Sequence, residues 1–337
     1  MLKSRLCIAF FAFAVGCAPA QKPLTDYVNP MLGTATLWDS VDLGFKPTKR
    51  TWGAEVFPGS SLPNAMVQVS PVTKFHSGAG YQYEDSVIYG FTHTNKGHWN
   101  LCHIPLLPVT GTPTPGDYCS PFSHERESAA PGYYQVFLDR YGVDAQLSST
   151  LRCAFHKYTY PAGAAASLLA DLQRSNEHVR AWDIRKEGDN VFAGWQQTGE
   201  KMYFYAVANR PVTGIEPVVE GDREVRIVRF GEGDGALELR IGFSFVSEKN
   251  ARENLEAEML GKSFAEVRSE ATATWNDLLG RIRVEGGTER EKGLFYSSLY
   301  RSFLWPALRS DVNGEFTDVD GKVINPGFRY YTGPSYW

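Results

Sequence analysis

Alternating apolar and polar positions dominate the middle of the chain. Tyr133 to Asp139 alternates, as do Val191 to Gln197 and Glu224 to Phe230, while Met202 to Val207 and Ala236 to Phe245 are similar runs rich in aromatic or branched residues. A period of two marks half-buried strands. Short turns separate these runs: Glu187-Gly188-Asp189-Asn190, Glu220-Gly221-Asp222, and Gly231 to Gly235. Strands of this length between Gly/Asp turns predict an antiparallel β-sandwich from Tyr27 to about Val246. No strand–helix alternation is visible, which argues against a doubly wound parallel sheet. Tyr27 to about Gly116 is less regular and rich in Gly and Pro. Its many apolar and aromatic residues argue for an ordered segment, and a long ordered loop region inside a compact domain is usually functional.

The period changes after about Ser247. Ser263-Phe264-Ala265-Glu266 has the pattern of a capping box, and Phe264, Val267, Ala271, Trp275 and Leu278 then recur at helical spacing. Gly286-Gly287 breaks the chain, and Thr288-Glu289-Arg290-Glu291 is a second capping box, opening a helix that Pro306 stops. In this second helix Leu294, Phe295, Tyr296, Leu299, Tyr300, Phe303 and Leu304 leave few polar faces. A helix apolar all round expects cover from other helices. Only loops follow, and the sequence stops within an aromatic run, so the pattern predicts a helical domain cut short.

Lys3 and Arg5 precede an apolar run, Leu6 to Val15, and then small residues. This predicts a secretory signal peptide, too short to span a membrane. Ala18-Pro19-Ala20 fits cleavage before Gln21; Ala14-Val15-Gly16-Cys17 is an imperfect lipobox that would leave a lipid anchor on Cys17. Both readings export the protein, and no later segment reads as a membrane span. Beyond the signal segment only Cys102, Cys119 and Cys153 remain, which is neither a disulfide framework nor, without a C-x-x-C, a zinc pattern. A net charge of −4 without a basic stripe gives no support to nucleic-acid binding. Aromatics at 13% suit either sugar stacking or a large sandwich core, and composition does not choose between them.

Several motifs together resemble glycoside hydrolase family 92. Tyr27-Val28-Asn29-Pro30-Met31-Leu32-Gly33-Thr34 is similar to the family's opening, and Phe57 through Pro71 resembles its signature, continued by Gly90-Phe91-Thr92-His93-Thr94. Phe295 to Tyr300, Ser310 to Gly314, and Tyr330-Tyr331-Thr332-Gly333 through Tyr336-Trp337 resemble the start of its barrel. The resemblance implies an exported, calcium-dependent, inverting exo-α-mannosidase acting on mannose-containing glycans, with α-1,2 linkages expected. It implies a mainly β then α chain: a signal peptide over 1–20, an antiparallel super-sandwich over 21–246, a helical linker over 247–286, and the start of a truncated (α/α)6 barrel over 287–337. The general acid, the base residues and most calcium (Ca2+) ligands are then expected beyond residue 337, leaving the chain inactive alone.

The run Asn95-Lys96-Gly97-His98-Trp99-Asn100-Leu101-Cys102 departs from the Ser-Gly-Thr-Gly type of loop common in the family. His98 and Trp99 are therefore the expected substrate-binding residues, Trp99 by stacking on a sugar ring and His98 by a hydrogen bond to a hydroxyl. His76, His93 and His103 flank the same region without a defined partner. Asp311, Asp318 and Asp320 fit ordinary Gly-containing turns better than a calcium loop. Glu55, Glu84 and Asp85 carry no assignable role from sequence. Two other readings remain: a non-catalytic carbohydrate-binding sandwich, against which the helices after Ser263 count, and a different (α/α)6 enzyme such as a glycoside phosphorylase, against which the N-terminal motifs count.

Overall fold

The computed structural model describes residues 22–37, 44–46, 53–95 and 100–333. Across these residues two large antiparallel sheets face each other. The first has eight strands in the order Ala181–Lys186, Val191–Gln197, Lys201–Ala208, Leu237–Ser244, Cys153–Thr159, Val143–Ser149, Tyr133–Leu138, Glu127–Ala130. The second has seven, in the order Ser60–Ser61, Gln68–Val72, Gly90–Thr92, Leu106–Val109, Ser167–Ala170, Arg223–Phe230, Val212–Glu220. The fold expected from the alternating runs is therefore the fold found: a β-sandwich followed by helices. Inward positions fill one core. Met202, Phe204, Ala206 and Ala208, on one face of their strand, share one apolar cluster with Phe91, Leu168 and Val228 of the facing sheet.

The irregular N-terminal stretch supplies short strands and long loops rather than a separate unit. Its signature residues Phe57 to Pro71 run into the edge of the seven-stranded sheet, with Ser60 paired to Val69.

Three helices follow. Helix α1 (Glu248–Glu258) lies on the outer face of the eight-stranded sheet, where Leu255 and Met259 join Tyr133, Cys153 and Phe155 in a second apolar cluster. It approaches so closely that a Cβ on Gly242 would stand 2.1 Å from the Ala251 carbonyl oxygen and 2.8 Å from the Leu255 Cβ. Gly242→Ala is expected to lift α1 and cost about 1–3 kcal/mol, measured as a shift in the urea midpoint. Ala251→Gly should not rescue it, because the clash is with backbone.

Helix α2 (Phe264–Leu279) and helix α3 (Glu289–Ser302) both begin with the capping boxes read from the sequence, Ser263 with Glu266 and Thr288 with Glu291. In each, the cap hydroxyl accepts from the third backbone N–H and the Glu side chain accepts from the cap N–H, satisfying donors that a helix start would otherwise leave bare. Trp275 and Leu279 of α2, Tyr296 and Tyr300 of α3, and Leu24, Val28 and Phe57 form a third cluster. Helix α3 ends at Ser302, a turn earlier than Pro306 alone suggested. It is covered on one side only: Tyr296, Ser297 and Tyr300 are buried, whereas Leu294 is 46% exposed. Val319, Val323, Phe328 and Tyr331 are also exposed on the loops beyond.

A buried polar knot ties these parts together. The Asp311 carboxylate, 2% exposed, accepts from Ser244 Oγ (2.6 Å), Asn250 Nδ2 (2.9 Å) and Asn254 Nδ2 (2.7 Å). Burial pushes its carboxyl up from the usual range, and the Ser244, Asn254 and Asn250 hydrogen bonds pull it back. Beside it Arg152 pairs with Glu258 (2.6 Å) and donates to the Ser310 carbonyl (2.9 Å). Asp311 therefore does more than the turn chemistry expected of it, since it anchors α1. Asp318 matches the turn reading: its carboxylate accepts from the backbone of Asp320 and Lys322.

Candidate functional site

Three segments are stapled to one another: 76–80, 100–102 and 172–177. Asn176 is the main staple. Its Nδ2 donates to the carbonyls of Ser77 (2.9 Å) and Asn100 (2.6 Å), its Oδ1 accepts from His76 N (2.7 Å), and its N–H reaches the Leu101 carbonyl (2.9 Å). Ser175 Oγ donates to that same Leu101 carbonyl at 2.6 Å. Asn100 donates from its backbone to Gly78 O (2.7 Å) and from its side chain to Ala79 O. Asn95 accepts from Thr92 Oγ1 (3.0 Å) and donates to the carbonyls of Gln68 (2.9 Å) and Thr92 (2.8 Å). Both Asn95 and Asn100 are wholly buried.

Backbone strain gathers in the same place. Glu55, His76, Cys102 and Ile104 all have φ near +50°, a left-handed conformation that costs a side-chain-bearing residue energy, and a β-branched one most. Two glycines make the close approach workable. A Cβ on Gly78 would stand 2.5 Å from the Glu55 carboxylate, and one on Gly80, itself at φ +74°, would stand 2.7 Å from Cys102 Sγ. Strain of this kind persists where surrounding contacts over-determine it, and it concentrates at binding and catalytic sites.

The strained segment is pinned from below by two histidines. His93 Nδ1 lies 3.0 Å from the Ile104 carbonyl, His93 Nε2 lies 3.0 Å from His156 Nε2, and His156 Nδ1 lies 2.5 Å from the Tyr158 hydroxyl. A carbonyl only accepts, so His93 carries its proton on Nδ1 and accepts at Nε2. His156 must then be protonated at Nε2 and accept from Tyr158. With both rings neutral, one proton order satisfies all four groups. Burial drives the same way: it lowers His93 to about 3, and it lowers His156 well below the ordinary value, with His93 adding to the shift.

These positions sort the histidines singled out in the sequence. His93 is wholly buried against His156 and holds the loop rather than facing a ligand. His103, also buried, lies between Thr94 and Thr198. His76 stands at the loop rim. Glu55 lies under Gly78; Glu84 accepts from Thr36 (2.6 Å) and Asp85 from Thr73 (2.8 Å), which are structural roles. His98 and Trp99 lie outside the described residues, as do the signal segment and Cys17. Burial pushes the Cys102 thiol up to about 12, so it is no nucleophile at neutral pH. The anchors Asn95, Asn100, Asn176 and His156 were not singled out from the sequence; only the place of Asn95 and Asn100 on either side of Lys96–Trp99 could have signalled two of them.

Among the described residues no three His, Cys, Asp or Glu side chains stand together as metal ligands, and the Asp311 oxygens are taken by amide and hydroxyl donors. These residues do not fit a calcium site. Among them no helix is long and apolar enough to cross a membrane.

A large antiparallel sandwich followed by capped helices is an architecture shared with solved family GH92 α-mannosidases. A family GH92 α-mannosidase of Bacteroides thetaiotaomicron superposes over 93% of this chain and 45% of its own, with a TM-score of 0.82 and 26% identity. A family GH92 inverting mannosidase of the same organism covers 93% of this chain and 44% of its own, with a TM-score of 0.78 and 25% identity. Among curated proteins an uncharacterized secreted glycosidase of Arthroderma benhamiae is 24% identical over 86% of this chain and 42% of its own length. The chain thus spans less than half the length of these relatives. Residues 27–254 match the glycosyl hydrolase family 92 N-terminal domain, and residues 250–337 match the family 92 catalytic domain. The chain belongs to glycosyl hydrolase family 92.

Proposed function

We propose that this chain forms the front section of an exported exo-α-mannosidase that releases mannose from α-linked, chiefly α-1,2-linked, glycans with inversion of configuration. Membership of family 92 carries this reading, supported by the fold shared with α-mannosidases, one of them solved in complex with mannoimidazole. In this reading residues 21–246 are the sandwich, 247–286 the linker and 287–337 the first part of the catalytic barrel. The loop wall built on Asn95, Asn100 and Asn176 supports the sugar, with Trp99 against a ring face and His98 on a hydroxyl. Calcium and the acid–base pair come from residues other than those described. Inversion needs a proton donor and a water-activating base on opposite sides of the bond, far enough apart to admit a water.

The test is an assay on α-mannobiosides of both the 337-residue chain and the full reading frame of its gene. The full protein should release β-mannose as the first anomer seen by proton NMR, and a chelator should abolish release. The 337-residue chain should release none, since each missing acid or base group costs about 10²–10⁴-fold. Turnover by the 337-residue chain would put catalytic carboxylates within it. Sugar binding without turnover by either protein would favour the non-catalytic binding module instead.

A further inference from the structure

Beside the stapled loops the surface opens into a cleft of about 590 Å3, within the range of ligand sites. It is lined by the connection running from Gln173 to Arg180, by the start of the edge strand Ala181–Lys186 in one sheet, and by the Asp222–Arg223 turn of the other. His76 stands at one end. The same connection, through Ser175 and Asn176, holds the carbonyls of Leu101 and Asn100. The cleft therefore adjoins the held residues Asn100 and Leu101.

Its lining is chemically mixed. Trp182 offers a half-buried indole, with the Arg226 guanidinium 5.3 Å from its ring. Glu177, His178, Arg180 and Asp222 complete the walls. Two more arginines face in, but both are engaged by the buried Asp171: Arg223 at 2.7 Å and Arg174 at 3.8 Å. A phosphate or carboxylate would meet Glu177 and Asp222, and a cation would meet the arginines. Planar donors and acceptors beside an indole suit a neutral polyhydroxyl ring, whose adjacent hydroxyls donate and accept in pairs and whose C–H face stacks on an aromatic.

We propose that this cleft binds neutral hexose units of the glycan on the leaving-group side of the bond to be cut. The assignment rests on the exo-mannosidase reading: an enzyme that removes the terminal sugar must hold every further sugar on the leaving-group side. With further sugars held there, a long chain gains contacts at Trp182 that a disaccharide lacks, so the enzyme prefers long chains.

The test compares Trp182→Ala and Asp222→Ala with the parent, all as the full protein. Asp222 is an exposed turn residue, so its variant reports on the cleft even if Trp182→Ala folds poorly. The kcat/KM ratio for α-mannotetraose over α-mannobiose should fall about tenfold in Trp182→Ala, equivalent to about 1.4 kcal/mol, and severalfold in Asp222→Ala, chiefly through KM on the longer substrate. An unchanged ratio in both variants overturns the proposal. If the parent cleaves no α-mannoside, the mannosidase reading falls, and titration calorimetry with neutral tetrasaccharides of mannose, glucose and galactose judges the cleft by itself. Binding that weakens in both variants sustains it; no binding, equal binding by the variants, or displacement by inorganic phosphate overturns it.

Discussion

Acidification from pH 6 to pH 4 is expected to lower stability steeply, by up to about 1.4 kcal/mol per pH unit for each buried histidine that stays neutral. The cause is the pair His93–His156. Both are neutral in the folded protein, with values lowered by burial, His93 to about 3. In the unfolded chain each returns to the ordinary histidine value of about 6.5. Below that value the unfolded chain binds two more protons than the folded one. The stabilisation is complete above about pH 6.5 and is lost as pH falls toward the folded values, at about 2.7 kcal/mol per pH unit while both sites contribute. Asp171 and Asp311 act in the opposite sense, since burial raises them and protonation relieves their cost, so they offset part of the loss. Urea midpoints measured at intervals between pH 7 and pH 4 read the slope. In His156→Gln the slope should drop by about half, whatever the variant's stability at pH 7. A slope equal to that of the parent would remove the pair as its origin. Because His93 holds the Ile104 carbonyl, residues 100–104 should loosen over the same pH range, visible as faster amide exchange there.

Trp275→Ala should cost about 3–5 kcal/mol, the largest effect of any single truncation outside the sandwich core. The indole is wholly buried, packs 4.4 Å from the Tyr300 ring and donates to the Ser61 carbonyl at 2.7 Å. Truncation leaves a cavity among Leu24, Phe57, Leu279 and Tyr296 and strands a buried acceptor on the Phe57–Pro71 signature. Trp275→Phe keeps most of the packing but still strands Ser61 O, so it should lose about 1–3 kcal/mol. Thermal unfolding followed by both near-ultraviolet and far-ultraviolet dichroism checks the pair. A loss below about 1 kcal/mol in the alanine variant would mean that the helices and the signature loop do not share a core.

How much was legible depended on the range of the interaction. The capping boxes at Ser263 and Thr288 were readable because a cap and its glutamate lie three residues apart. Lys201–Ala208 was readable because one of its faces is buried in strict alternation. Ser167–Ala170 and Leu106–Val109 were not, since both are short and buried at every position, and periodicity says nothing about such runs. Helix α1 showed only as a change of character, because its inner face carries Asn250 and Asn254, polar residues that become core only through Asp311. The site was legible as a region and not as a geometry. His93 pairs with a histidine 63 positions away, and the cleft at Trp182 is assembled from segments well separated along the chain. Left-handed conformations at His76, Cys102 and Ile104 have no sequence signature of their own, since none is the Gly or Asn that such angles favour.

The knot at Asp311 also sets an order of events during synthesis. Asn254 leaves the ribosome 57 residues ahead of its partner carboxylate. At about 5–20 residues per second the gap lasts roughly three to eleven seconds. Over that interval the eight-stranded sheet can close and α1 can settle on Gly242. Ser244, Asn250 and Asn254 meanwhile hold their donors toward water rather than toward Asp311. The sandwich can therefore form before the 311 loop arrives, and that loop then latches the helix in place.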